Sequence, residues 1–533
     1  MGRCPMFVLL AALIAMILIS DSTGLRKPME PPFYGPGRYC ARILEIKEAQ
    51  TSGRIAMAEV DSVNGRACYP FRLRIHFLGE KPYLTAGMCV WFAGRVDTLA
   101  APPAVPDAID LLAAMRRKGV VGSAVIVEDS ICATGHTPGV RSWLLRANDE
   151  AMTRLKRCPL ETGTIDMLAA MLLGKGDMVT ADTRTLYSAA GLSHLLALSG
   201  MHVGVIAMIV AFALFPLYLT RHVRTRLILT VLMLWVYAAF TDFAPSVTRA
   251  VLMASVYMGA RCLERSSQPL NSLCLAVAAI LLFNPSALYS PGLQMSAAAV
   301  LGIILFYPHI NLIDRRRRPF LYRLLSYPWL SFSAMIFTAP VAAFHFHTFP
   351  VFFIVANLLV APVLPLFLVS GIISIIFSVG GPTDFLANCI DLIARLTASL
   401  PGAVMADVYP DLWLVLAVCA LMLALGISLN ARNLFASLES LLLLIVVCAV
   451  AWVAPPRSYP AHEEYLIETP RGNHLLVRDG GTCTLLTPLR AAREREDLRD
   501  HYAVVLRDFM ARRGVDTFTV EPDSRIVSIN IGK

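Results

Sequence analysis

Long apolar segments separated by short polar loops fill the chain from residue 191 onward, and they constrain the fold more than any other feature. A helix needs about 20 mainly apolar residues to cross a bilayer. Only 16% of the 533 residues are charged and 56% are hydrophobic, whereas soluble domains carry about 25% charged residues. The sequence therefore predicts a multi-pass α-helical membrane protein with segments near residues 191–219, 227–241, 246–262, 269–283, 291–310, 328–345, 349–379, 411–429 and 434–454.

The loops between these segments alternate in charge. Lys and Arg occur in 220–226, 260–266 and 313–323, and are absent from 241–246, 284–290 and 345–350. Because basic loops stay in the cytoplasm, this alternation predicts that everything before the first segment lies outside it. The same rule favours a topological role for the four arginines at 315–318 over phosphate binding. Pro362 and Pro365 interrupt segment 349–379, which leaves one span or a bent hairpin open; Arg432 favours the hairpin.

Three further domains are predicted outside the polytopic domain at 160–454. Residues 1–20 form an apolar anchor, which we favour over a cleaved signal peptide because "ISDSTG" is a poor cleavage site. Residues 35–140 contain short alternating runs separated by Gly, Asn and Pro turns, a pattern typical of a small all-β domain such as an OB-like barrel. Residues 455–533 predict a small α+β tail, a hairpin followed by an amphipathic helix.

Four cysteines, Cys40, Cys68, Cys89 and Cys132, fall in the predicted strands. An extracytoplasmic compartment would permit a disulfide among them, and buried free thiols are the alternative. The sequence contains no Cys-x-x-Cys pair and no Cys/His group at zinc-finger spacing. We therefore predict no metal site and no cofactor.

Polar residues interrupt the first long apolar segment. If 191–219 is one helix, His194 and His202 lie about 80° apart and share a face with Ser199. The same geometry puts His194 and Ser199 about 140° apart, which argues against a catalytic dyad. Gly200 and Gly204 would allow a neighbouring backbone to approach closely, or would permit a kink. The two histidines have two alternative roles at this point: they support the helix bundle, or they line a substrate path.

Polar residues recur in the later segments. An ion pair between Asp242 and Arg249 is favoured over direct substrate contact. Gln294 follows a Pro-Gly pair, which predicts either a discontinuous helix at a substrate path or a plain helix N-terminus. Because polar groups in a membrane are costly, they usually face inward or act in function. The candidate path residues are His194, Ser199, Gly200, His202, Arg249, Gln294, Ser296 and Asn357.

Four stretches carry a specific resemblance. "LLGKGDMVTADTRTLYSAAGLSHLLALSGMHVGVIA" at 172–207 closely resembles the signature of ComEC-type competence proteins, and later stretches at 246–267, 281–303 and 346–366 are similar to that family's further motifs in the same order. The resemblance implies an inner-membrane channel component that takes up single-stranded transforming DNA. It also implies an OB-like domain, in which Arg72, Arg74 and Tyr83 are candidate DNA contacts.

The C-terminal part departs from the family. Many members end in a metallo-β-lactamase-like domain with a His-x-His-x-Asp-His motif, but the single His-x-His here, His345 and His347, continues as Thr-Phe-Pro. We therefore expect a form that lacks this domain and is not an enzyme. The implied partners are single-stranded DNA, membrane lipid, an external DNA receptor, a cytoplasmic DNA translocase and a separate nuclease, with homo-oligomers left open. The alternative is a transporter of another substrate on the same scaffold.

Overall fold

The computed structural model describes the chain in two compact units, one formed by residues 1–25 and 139–454 and the other by 26–138 and 455–533. The residues described are 5–22, 35–48, 54–78, 87–98, 119–127, 131–136, 140–216, 223–262, 269–312, 319–405, 408–453, 462–469, 472–487, 505–515 and 517–522, with residues 105, 106, 115, 116, 460, 499, 502 and 503.

Six strands form the N-terminal sheet: β1 (Gly35–Glu48), β2 (Arg54–Val63), β3 (Arg66–Leu78), β4 (Met88–Thr98), β5 (Val120–Val127) and β6 (Ile131–His136). The strand order is β1-β2-β3-β5-β4-β6, and an additional pairing of β1 with β4 closes the first five into a barrel. Strands β3 and β5 run parallel, whereas the other pairs are antiparallel. The predicted strands are confirmed.

Alternation along β3 separates the barrel core from its outer surface. Phe71, Leu73 and Phe77 are buried, while Arg72 between them is exposed. Because successive side chains of a strand point to opposite faces, this alternation is what a half-buried strand requires. The aromatic residues at 71 and 77 are therefore core residues, whereas Tyr69, at 70% exposure, lies on the surface.

The C-terminal part of the same unit is a four-stranded sheet with one described helix. Its strands are β9 (His462–Thr469), β10 (Gly472–Asp479), β11 (Thr482–Thr487) and β12 (Thr517–Pro522), and a helix at Arg507–Arg512 precedes β12. Strands β9, β10 and β11 are antiparallel, and β12 pairs with β11 in parallel. Val105, from the chain after β4, is 7% exposed in the core of this sheet. Two distant parts of the sequence thus share one core.

A buried ion network in this sheet leads to a stability prediction. The Glu463 carboxylate accepts a hydrogen bond from Arg513 Nε at 2.8 Å and lies 3.4 Å from Arg478 Nη1, with all three side chains at most 8% exposed. Removing one member of a buried pair leaves an uncompensated charge at a cost of about 3 to 5 kcal/mol. We expect Glu463→Gln to destabilise this sheet by such an amount, seen as faster hydrogen exchange over 462–522 in the full chain.

The matched control for that substitution is the next residue. Glu464 is 55% exposed and pairs with the exposed His462. Exposed ion pairs contribute about 0 to 1 kcal/mol. Glu464→Gln should therefore leave exchange nearly unchanged, and equal effects of the two substitutions would contradict the prediction.

The other unit is helical. Its helices are α1 (Pro5–Ser22), α2 (Val140–Arg157), α3 (Thr162–Leu172), α4 (Ala181–Ala189), α5 (Gly200–Ala213), α6 (Val223–Phe240), α7 (Pro245–Cys262), α8 (Pro269–Phe283), α9 (Pro291–Phe306), α10 (Pro319–Phe346), α11 (Phe353–Val360), α12 (Val363–Phe377), α13 (Gly381–Ala398), α14 (Leu412–Asn430) and α15 (Leu434–Val453). Within the described chain, four helices are long and apolar enough to cross a membrane, or five if α11 and α12 count as one span. This content fits a multi-pass membrane protein.

The first predicted span differs from the structure. Residues 191–199 form turns, and α5 begins only at Gly200. Gly191 has φ +75°, and a Cβ there would lie 2.7 Å from Phe353 Cβ, so the chain turns tightly against α11. The expectation of one helix from 191 to 219 was wrong because Ser199 caps a helix that starts after it.

The interrupted segment 349–379 is a bent helix pair. Helices α11 and α12 meet at 46° across Ala361 and Pro362. The short strand β7 (Phe349–Pro350) pairs antiparallel with β8 (Val404–Met405). Because these strands are hydrogen-bonded, the chain between them leaves and returns to one place. The bent pair fits both a broken span and a re-entrant hairpin.

Helix α1 packs into the helical unit. Leu13 and Ile17 are 9% and 1% exposed, and they pack with Leu273, Val277 and Leu281 of α8. Burial of these side chains gives α1 a stabilising role in the bundle. Retention of this segment as an anchor stays a prediction.

Candidate functional site

The N-terminus of α5 holds a closely bonded Ser and His pair. His202 Nδ1 accepts a hydrogen bond from the Ser199 backbone N–H at 3.1 Å and lies 2.7 Å from Ser199 Oγ. This is a capping box in which the side chain at the third helical position reaches back to the residue before the helix. The Ser-x-x-His spacing was the sequence signal that α5 begins at Gly200.

The bonds at Nδ1 fix the protonation of this imidazole. Since Nδ1 accepts the backbone N–H, it carries no proton, and the Ser199 hydroxyl must be the donor to it. The proton of the neutral ring therefore lies on Nε2. His202 is 1% exposed, and Nε2 is a buried atom with no hydrogen-bond partner among the residues that the structure describes. A buried donor without a partner costs about 1 to 3 kcal/mol.

Ser199 and His202 do not form a catalytic arrangement with a third group. A base that activates a serine is oriented by a partner on its other nitrogen, and within the described chain His202 Nε2 has none. The pair is explained by helix capping. The predicted geometry of His194 and Ser199 on one helix no longer applies, because His194 lies before α5.

His194 lies in the turns before α5, where its side chain is exposed. The structure thus joins Ser199 and His202 through a cap, and His194 lies in the turn before them and not on a shared helix face.

Helices α5 and α7 meet beside this pair. A Cβ on Gly200 would lie 3.9 Å from Ala250 Cβ, which is ordinary van der Waals contact. Gly200 therefore lies near α7, but the two helices do not approach each other there as closely as predicted. A Cβ on Gly204 would have no described atom within 4 Å, so a close approach is absent there among the described residues.

Arg249 lies in the second turn of α7 and faces the start of α9. A Cβ on Gly292 would lie 3.1 Å from Arg249 Nη2 and 3.4 Å from Nη1, so the guanidinium packs on this glycine. Arg249 Nε is buried with no hydrogen-bond partner in the described chain. A side chain at position 292 would displace the guanidinium from this place.

The predicted ion pair between Asp242 and Arg249 is absent from the described residues. Asp242 occupies a tight turn with φ +51°, and the ion pairs of the described chain include none that Arg249 forms. Asp242 is instead held in the turn between α6 and α7, where its backbone N–H donates to Ala239 O at 3.2 Å.

Gln294 connects α9 with α10. Its Nε2 donates to Leu288 O at 2.9 Å, and its Oε1 lies 2.8 Å from His345 Nε2. Ser290 is the residue before α9 and Pro291 its first residue, so the Pro-Gly pair marks a plain helix N-terminus instead of a broken helix. His345 was missed as a site residue because its His-x-His context suggested only a comparison with a nuclease motif.

Ser296 and Asn357 are less connected. Ser296 is partly buried on α9. Asn357 Nδ2 donates to Phe353 O of its own helix at 2.8 Å. The two cavities described in the helical unit are lined by apolar side chains, apart from Gln294 in one of them and Tyr237 in the other. The polar side chains thus cluster at helix ends and not around an enclosed cavity.

We name five of these residues the helix-end cluster: Ser199, His202, Arg249, Gln294 and His345. Each lies within or next to the first or last two turns of its helix. Contacts at Gly200, Gly292 and Gln294 link α5 to α7, α7 to α9, and α9 to α10. The cluster joins residues that are about 150 positions apart in the sequence.

The barrel carries a basic row on its outer surface. Arg72 and Arg74 lie two residues apart on β3, on the face opposite the core. Glu59 of β2 is the register partner of both Arg72 and Arg42 on the flanking strands. Burial lowers the pKa of Arg74, whose Nη1 lies 3.9 Å from Met115 Sδ. Tyr83, the third predicted contact, lies outside the described residues.

Three of the four cysteines gather on one outer patch of the barrel. Cys40 interacts with Cys89 and with Asp61, and Cys68 lies near the same Asp61. Cys40, Cys68 and Cys89 are free thiols in the structure, and the side chain of Cys132 lies outside the described residues. The predicted disulfide among the four is thus not formed between these three.

The thiol of Cys40 should react slowly at neutral pH. Burial, followed by the nearby Asp61, raises its pKa to about 11. Since the thiolate is the reactive form, about one thiol in a thousand is reactive at pH 8. We expect alkylation by iodoacetamide to accelerate steadily as the pH rises towards 11, followed by mass spectrometry. A disulfide would instead block alkylation at every pH until a reductant is added.

The described residues contain no group of three or more His, Cys, Asp or Glu side chains that could hold a metal ion. The helical unit, with several apolar helices and polar helix ends, fits a multi-pass membrane protein. Residues 171–432 match the model of the family described as "Competence protein". This match confirms the resemblance to ComEC-type competence proteins over these residues.

Three curated relatives align with the chain. ComE operon protein 3 of Bacillus subtilis is 29% identical over 294 residues, which is 54% of this chain and 36% of the relative. Recombination protein 2 of Haemophilus influenzae is 26% identical over 50% of this chain and 34% of its own length. The uncharacterized protein YcaI of Escherichia coli is 26% identical over 36% of this chain and 26% of its own length. The chain thus spans about a third of the first two relatives, and no solved structure matches it.

Proposed function

We propose that this protein is a channel component of the bacterial inner membrane that takes up single-stranded transforming DNA. The match of residues 171–432 to the competence family supports a role in DNA uptake. The observation that carries the channel role is the helix-end cluster. It joins polar and cationic side chains from three of the four sequence motifs, and His345 just before the fourth, through three helix contacts.

The chemistry of the substrate fits this cluster. A single strand brings one negative charge per nucleotide, so its path needs donors and cations in place of acids. Helices α5, α7 and α9 contain no Asp or Glu. His202 and Arg249 both have buried nitrogen atoms without partners among the described residues. We therefore assign the path to His194, Ser199, His202, Arg249 and Gln294, with Gly200, Ser296 and Asn357 beside them.

The proposed orientation puts the β-rich unit outside the cytoplasm. Basic loops at 220–226, 260–266 and 313–323 support the cytoplasmic side for one set of helix ends. Burial of Val105 in the C-terminal sheet supports a shared compartment for residues 26–138 and 455–533. The two apolar helices that follow β8 would return the chain to that side if both cross the membrane. Accessibility of an engineered cysteine at Thr482 to an impermeant reagent tests this orientation.

The closed barrel would receive the strand. Its order of β1-β2-β3-β5-β4 with β1 and β4 paired supports an OB-like fold, whose second and third strands often contact oligonucleotides. Arg72 and Arg74 lie on the outer face of the third strand, and Tyr69 nearby is exposed for stacking on a base. The position of Tyr83 remains a sequence prediction.

The proposal implies partners. An external receptor would deliver DNA, a cytoplasmic translocase would pull it, and a separate nuclease would degrade the other strand. Each of these partners is proposed from the resemblance. Association of this chain into homo-oligomers is left open. We propose no enzymatic step in this chain. Transport of another substrate on the same scaffold is disfavoured by the helix-end cluster, because its hydrogen-bond donors and Arg249 suit a polyanion.

The proposal is tested in a naturally competent host from which this gene has been deleted. Labelled duplex DNA is supplied, and single-stranded label is recovered from the cytoplasm. We expect recovery to fall to the level without competence and to return when the wild-type gene is supplied. Normal recovery in the deletion strain would contradict the proposal and would favour transport of another substrate.

A further inference from the structure

Arg249 occupies an electrostatically unfavourable position. Its guanidinium packs against Gly292, the second residue of α9. The N-terminus of a helix carries about half a positive charge. A cation against that terminus is repelled by it, although Arg249 is partly exposed. An anion beside both groups would offset this repulsion.

No acid on the helices around Arg249 supplies that anion. Helix α7 packs against α5, α6, α8 and α9, and none of these five helices contains Asp or Glu. Arg249 Nε is buried and has no hydrogen-bond partner among the described residues. The surrounding helices therefore leave this guanidinium available to an anionic ligand.

A second observation points to the same kind of ligand. His202 is 1% exposed, its Nδ1 is engaged by the Ser199 cap, and its Nε2–H has no acceptor in the described part of the chain. It lies on α5, which contacts α7 at Gly200 and Ala250. Neighbouring helices thus hold two buried donors without acceptors, one of them cationic.

The donor set favours phosphate. A guanidinium binds a phosphate through two parallel N–H donors, and a helix N-terminus offers further N–H groups to the same anion. In α9, Pro291 has no N–H, and the N–H groups of Leu293 and Gln294 both donate to Ser290 O. The amide of Gly292, against which the guanidinium lies, is the first one available to a ligand.

We propose that Arg249 and the first turn of α9 form a phosphodiester-binding subsite of the substrate path, with His202 Nε2–H as a donor on the adjacent helix. The inference rests on the proposed function, because it takes the phosphodiester to belong to the incoming strand. The same chemistry would bind a lipid headgroup phosphate, and the experiment separates these two sources.

The test measures binding of a fluorescent single-stranded oligonucleotide to the full chain in nanodiscs of zwitterionic lipid, as a function of salt. For single strands the logarithm of the binding constant falls with the logarithm of salt concentration by about 0.7 per phosphate contact. We expect Arg249→Gln to reduce this slope by about 0.7. Arg249→Lys should keep the slope, because it keeps the charge, and bind several-fold more weakly, because it loses the planar fork.

Two controls complete the design. Arg261→Gln removes an exposed arginine from the other end of α7, whose guanidinium lies 6.0 Å from the Tyr257 ring, and should leave the slope unchanged. A methylphosphonate oligonucleotide, whose backbone is uncharged, should bind wild type and Arg249→Gln equally. An unchanged slope in Arg249→Gln, with normal protein level, overturns the subsite and points to lipid phosphate or no ligand. The proposed function fails separately, if the deletion strain still takes up DNA.

Discussion

His202→Ala is expected to reduce DNA uptake to the level of a deletion strain while the protein stays in the membrane. The substitution removes the acceptor of the Ser199 backbone N–H and the buried Nε2–H donor together. Loss of a helix cap costs about 1 kcal/mol, which is too little to unfold a membrane bundle. The expected loss is therefore one of function, measured as labelled DNA in the cytoplasm beside an immunoblot of membranes.

Two further variants separate the role of His202 in the helix cap from its role on the substrate path. Gln at this position can accept the Ser199 N–H as in an ordinary capping box, so His202→Gln should keep the helix start and lose the imidazole donor. Met201→Ala changes a neighbour that is 39% exposed and has no part in the cap, and uptake should stay normal. Full uptake with both His202→Ala and His202→Gln would show that this helix end is only scaffold.

Much of the fold follows from local pattern. The strands of the barrel were predicted because alternation of apolar and polar residues has the period of a strand exposed on one face. Hydropathy located most helices, but it placed the start of the first span at residue 191, whereas α5 begins at Gly200. Hydropathy averages over a window and does not register a cap, and in this chain Ser199 and His202 set the boundary.

The sequence predicted the residues of the site better than it predicted the contacts between them. His194, Ser199, His202, Arg249 and Gln294 were selected because polar groups in apolar segments are costly. Their partners were not predictable, because they depend on which helices pack together. The bond between Gln294 and His345 joins residues 51 positions apart, and Asp242 is near Arg249 in sequence without an ion pair between them. Shared cores such as that of Val105 and β10 are also nonlocal.

The contact of α9 with α10 gives the second large prediction. A Cβ on Gly302 would lie 2.1 Å from Ser333 O and 3.2 Å from Ser333 C, both backbone atoms of α10. Carbon atoms pack best at about 3.5 to 4.0 Å, so even a methyl group would push the two helices apart. Small residues permit such close approach between membrane helices. We expect Gly302→Leu to abolish the folded protein and Gly302→Ala to destabilise it by about 1 to 3 kcal/mol or more.

The measurement is the fraction of monodisperse protein after extraction and heating, compared with Gly259→Ala. Gly259 lies on α7 with no described atom within 4 Å of a Cβ position, so alanine there should be neutral or slightly stabilising through helix propensity. The comparison matters for the helix-end cluster, because Gln294 and His345 meet only if α9 and α10 stay in contact. If Gly302→Leu remains folded but loses DNA uptake, the two helices are held by other contacts and the glycine positions the path instead.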